Sequence, residues 1–185
     1  MDPSRLVSLL GEPQFNSFSD PAWDRVEGEW GLALPDDYKW FVSAYGPCVL
    51  YGTFYVSHPR GAALNLPGYI AYVSQEARTS QDYCPEEFPH PVIPEAGGLV
   101  PVVETFEGDR VFLRPPDDGT DDWTVMVRWD TWEWDWHRMG FVDFLERVLS
   151  EPAEVPLISR DCFEWVDVPY RLAEHREADE ADEPA

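Results

Sequence analysis

The strongest constraint on the fold is a change of hydrophobic period partway along the chain. Between residues 21 and 45 apolar side chains recur at helical spacing; from residue 53 they recur mainly at every second position. Trp23, Val26 and Trp30 mark one face of a first helix, with Asp24, Arg25, Glu27 and Glu29 left for water. Ser19 or Asp20 is placed to cap its start, with Pro21 in the first turn, and Gly31 to cap its end. Pro35 then holds Leu34 in an extended conformation and opens a second helix. Asp36 and Asp37 occupy its first turn, where the helix dipole favours acids. Tyr38, Phe41, Val42 and Tyr45 form its apolar stripe, and Gly46-Pro47 stops it.

The period-two segments follow. Thr53, Tyr55 and Ser57 alternate with Phe54, Val56 and His58, predicting a strand. Residues 99–105 and 110–114 read as a hairpin turning at Glu107-Gly108-Asp109. Trp123, Val125, Val127 and Trp129 alternate with Thr124, Met126, Arg128 and Asp130, and Trp132, Trp134 and Trp136 with Glu133, Asp135 and His137. Helices are predicted over 4–10, 68–81 and from Gly140 to Ser150. Residues 82–98, with four prolines and two glycines, read as a loop, and 158–168 as a short added strand. The sum is an α+β fold, a mostly antiparallel sheet flanked by helices, in one domain over residues 1–172. Residues 173–185 read as an acidic disordered tail.

Charge narrows the partners. The formal net charge is −23. The tail from Glu174 to Ala185 holds six acids against Arg176, a net of −5, so −18 remains on residues 1–173. Such a surface repels nucleic-acid phosphates and anionic membranes; it either attracts a basic protein or serves solubility alone. No run approaches the length of a membrane span, and the start of the chain lacks the pattern of a signal peptide. Cys48, Cys84 and Cys162 are odd in number and widely spaced, which predicts reduced thiols and a cytoplasmic setting.

Two acidic segments are candidate contact sites. Asp117, Asp118, Asp121 and Asp122 form a loop whose spacing does not match an EF-hand, so it is either a solvated loop or a partner-binding edge. Asp130, Glu133 and Asp135 lie among Trp132, Trp134 and Trp136. Glu133, Asp135 and His137 share one side of their strand, and the simplest reading buries the three tryptophans behind them. Tryptophans left exposed there are natural binding hot spots. His58, His90, His137 and His175 show no metal-ligand spacing, and no hydrolase or phosphate-binding motif is present. No catalytic residue, metal or cofactor is therefore expected.

Residues 23–46, with a Trp-bearing helix, a Gly, Leu34-Pro35-Asp36-Asp37-Tyr38-Lys39, Phe41 and Tyr45-Gly46, resemble the signature of the SUKH superfamily. The downstream order, closing on Phe141, Phe144 and Leu145, is similar too, so the resemblance spans roughly 19–150. It implies an acidic residue on the preceding helix, here Glu27 or Glu29. In bacteria it implies an immunity protein that neutralises a toxin domain, often a basic nuclease, by direct binding. The fungal Smi/Knr-type members imply the alternative, a regulatory or scaffold module. Catalysis by the clustered carboxylates is a third reading.

Overall fold

Antiparallel pairing dominates the architecture. The computed structural model describes residues 4–15, 21–116, 122–165 and 168–174. In chain order the elements are α1 (Ser4–Leu10), α2 (Pro21–Trp30), α3 (Asp36–Tyr45), β1 (Cys48–Leu50), β2 (Phe54–Val56) and α4 (Leu66–Tyr83). They continue with β3 (Val100–Thr105), β4 (Arg110–Arg114), β5 (Thr124–Arg128), β6 (Trp134–His137), α5 (Phe141–Ser150), α6 (Arg160–Trp165) and β7 (Tyr170–Leu172). The seven strands form one sheet in the order β6-β5-β4-β3-β2-β1-β7, each neighbouring pair antiparallel. This is the α+β class that the change of period predicts. Among the described residues no helix is long and apolar enough to cross a membrane.

Strand alternation gives the sheet two apolar faces. Phe54, Val56, Val103, Val111, Val125 and Val127 join a large core with residues of α1, α2, α3 and α5. There Tyr38 and Phe41 pack against Phe141 at ring distances of 5.1 and 5.7 Å. Phe112 and Met126 point the other way, into a smaller cluster with Val73 and Ala77 of α4 and with Phe88, Val92 and Leu99.

The Leu34–Phe41 segment is held by one carboxylate. Glu27 Oε1 accepts the Leu34 N–H at 2.8 Å and Lys39 Nζ at 2.9 Å. The acid on α2 thus fixes the extended entry to α3, while Glu29 stays exposed. Asp37 joins two helix starts. Its Oδ1 accepts the Tyr38 N–H, and its Oδ2 accepts the Val142 N–H in the first turn of α5. Gly140 makes this approach possible, since a Cβ there would sit 2.6 Å from Asp37 Oδ2.

Four features depart from the sequence reading. Among the described residues the strand expected within 158–168 does not form; α6 occupies Arg160–Trp165, and a strand forms later, as β7. β1 was not anticipated, and α4 begins before residue 68. Ala173 donates its N–H to the Pro47 carbonyl and Glu174 accepts from Ala62, so these two residues dock on the folded body. The caps expected at Ser19 or Asp20, and the tail from 175 to 185, lie outside the described residues.

Candidate functional site

The β5–β6 hairpin closes through Asp130, Thr131 and Trp132. Trp129 donates its N–H to the Glu133 carbonyl, and Trp132 donates to that of Trp129, both at 2.9 Å. Trp132 adopts φ 71°, the left-handed conformation that a three-residue loop of this kind usually gives to glycine. Asp109 Oδ1 accepts the Asp130 N–H at 2.9 Å and anchors the turn to the neighbouring β3–β4 hairpin.

The tryptophans are not buried behind the carboxylates. Trp132 is 47% and Trp136 44% exposed, among the most exposed large hydrophobics; Trp134 is half-buried against Phe88, Phe112 and His90. The reason is the sense of the alternation. His137 lies opposite Val125 and Asp135 opposite Val127, so these two share the face of the main core. His137 packs its ring 4.9 Å from Phe144 of α5. Trp134 and Trp136 fall on the α4 side, which the smaller cluster leaves partly open along the edge.

Arginines support the exposed rings. Arg128, 4% exposed, sits 4.3 Å from the Trp132 ring and 5.5 Å from Phe88, and its Nε finds no hydrogen-bond partner among the described residues. Burial, and next the Arg110 charge, lower its pKa. Arg110 lies beside it in register and takes the available acids: Glu76 in a bidentate pair at 2.8 and 3.0 Å, and Glu104 at 3.1 Å. Arg114 and Arg138 each lie 4.2 Å from the Trp136 ring, whose Nε1 donates to Thr124.

The acids line the other side. Asp130, Glu133 and Asp135 are exposed, and Asp135 Oδ2 accepts Trp129 Nε1 at 2.8 Å. Past the end of β6 opens a cleft of about 790 Å³, whose walls include four acids, Asp36, Asp37, Asp122 and Asp143, two arginines, Arg114 and Arg138, and Trp123 and Trp136. Trp136 is common to edge and cleft.

The structure therefore brings Asp130, Trp132, Glu133, Trp134 and Asp135 onto one hairpin and places Asp122 in the adjoining cleft. Asp117, Asp118 and Asp121 lie outside the described residues. Sequence reasoning missed Asp36, Asp37, Asp143 and Trp123 as parts of the site. The first two carried a signal only as first-turn helix acids, and nothing local ties α3 to β6. Among the described residues no group of three or more His, Cys, Asp or Glu is placed to hold a metal ion. No protein-family model, no curated protein and no solved structure matches the chain.

Proposed function

We propose that this protein is a non-catalytic binding protein that grips a basic protein partner with the β5–β6 hairpin and the adjoining acidic cleft. The observation that carries the reading is the exposure of Trp132 and Trp136 beside Asp130, Glu133 and Asp135. Rigid aromatic rings are the anchors of most tight interfaces, and carboxylates around them steer a cationic partner. The SUKH-like segment gives the gripping a purpose, neutralisation of a toxin domain whose basic surface would otherwise meet its own substrate. The cytoplasmic setting expected from the thiols belongs to the same reading.

The test is association of the purified protein with the product of the adjacent gene, followed as ionic strength is raised. The association rate should fall steeply with salt, and Glu133→Gln with Asp135→Asn should flatten that dependence. Trp132→Ala or Trp136→Ala should act mainly on dissociation and weaken binding about 30-fold or more. A rate indifferent to salt and to both acids would refute the reading. An abundant host protein recovered in place of a toxin would favour the scaffold alternative.

A further inference from the structure

The open edge of β6 has a pattern that defines what fits it. The Trp129–Glu133 hydrogen bond sets the phase of the β5–β6 ladder. Counting from it, Asp135 and His137 direct their backbone groups inward to β5. Trp134 and Trp136 take the alternate positions, so their N–H and C=O groups point away from the sheet. Among the described residues no strand lies beyond β6 in the sheet order, and neither residue's backbone takes part in the loop or inter-element hydrogen bonds. Edge strands are commonly blunted by shortness, charged side chains, lysine, proline or bulges; this one is short and carries Asp135, but has neither lysine nor proline, and two of its four residues are tryptophans.

We propose that β6 receives an extended segment of the basic partner as an eighth strand, paired to the backbone of Trp134 and Trp136. The inference rests on the partner reading above and names its mode of contact. The two sides of the edge prescribe an alternating occupant. Glu133 and Asp135 line the α5 side and call for Lys or Arg. On the α4 side the Trp136 ring already has Arg114 and Arg138 against it, which excludes further cations there and favours apolar side chains. Charge also excludes a second copy. Pairing β6 with itself would set Glu133 and Asp135 against the same carboxylates, between two molecules each of net charge −23.

The test uses a blocked eight-residue peptide alternating Lys and Val, with two further versions N-methylated on every Lys or on every Val. Amide exchange of the protein is read by NMR. The parent peptide should bind and slow the Trp134 and Trp136 amides by about tenfold or more. The two methylated versions should bind unequally, because only one edge of an added strand pairs. Binding that leaves both amides unchanged, or equal binding by the methylated versions, overturns strand addition while the basic-partner reading stands. A parent peptide that does not bind also overturns it, and the salt test above then judges the partner reading by itself. Slowing of the same amides by protein concentration alone would mean a second copy is the occupant.

Discussion

Trp132 holds a backbone conformation that a smaller residue would hold better, and this can be measured. Its φ of 71° costs an L-residue about 1–2 kcal/mol, whereas glycine adopts it freely. Trp132→Ala and Trp132→Gly both delete the ring and its contact with Arg128, so that loss cancels between them. What remains is the left-handed backbone, which favours glycine, against glycine's larger unfolded-state entropy, about 0.5–1 kcal/mol. The glycine variant should therefore be the more stable by about 0.5–1 kcal/mol, or roughly 1–4 °C in Tm for a chain of this size. At Trp136, on the extended strand, the order should reverse, with alanine ahead by about 0.5–1 kcal/mol. Urea denaturation of the four variants supplies the comparison, and an alanine variant at 132 equal to or above the glycine variant refutes the strain argument. Both variants at 132 should lose partner affinity alike, since both lose the exposed ring. A glycine more stable than alanine, yet no better at binding, identifies a tryptophan kept at this turn for contact.

Two further outcomes follow from the interior. Glu27→Ala strips the acceptor from Leu34 N–H and Lys39 together and should cost about 2–3 kcal/mol. Glu27→Gln keeps the amide acceptor and should cost about 1 kcal/mol or less, because Lys39 is partly exposed; equal losses by thermal melts would show the Leu34 contact to be unimportant. The pH dependence comes from three groups. Burial lowers the His137 and His90 pKa values below the usual 6.5, so as pH falls through that value the unfolded chain takes up protons that the folded one resists, and stability declines. Burial opposes ionisation of Glu76, but its hydrogen bonds and ion pair with Arg110 prevail and lower its pKa; its contribution is present above 4.5 and is lost as pH falls through the folded value. Urea midpoints should drop from pH about 7.5 to about 5.5, and His137→Gln should remove part of that slope.

The change of period was enough to read α2, α3, α4, α5 and the strands from β2 to β6, because each carries a local hydrophobic pattern. β1 and β7 escaped for a different reason. Each has three residues, like β2, but lacks the flanking alternation that runs over 53–58 around β2, and they exist as strands because they pair with each other and β1 also with β2. The hairpin site was legible as a cluster of acids and tryptophans, and Glu133 and Asp135 are exposed as expected, yet Trp132 and Trp136, expected buried behind them, are exposed too. Alternation reports that two sides differ; which side is covered depends on where α4 and α5 come to rest. The cleft was not legible, since the Asp37–Val142 bond that builds it spans 105 positions.

The pairing of Leu50 with Tyr170 joins positions 120 residues apart. At roughly 5–20 residues per second, translation needs about 6–24 s to cover that interval. Throughout it β1 waits with one margin bare and Cys48 without the cover of Leu172, beside a growing meander that extends away from it. Synthesis therefore completes β6, the proposed docking margin, before β7 is available to cover the opposite one. Ribosome-held intermediates stalled short of residue 170 should expose a β1 margin that the finished protein hides.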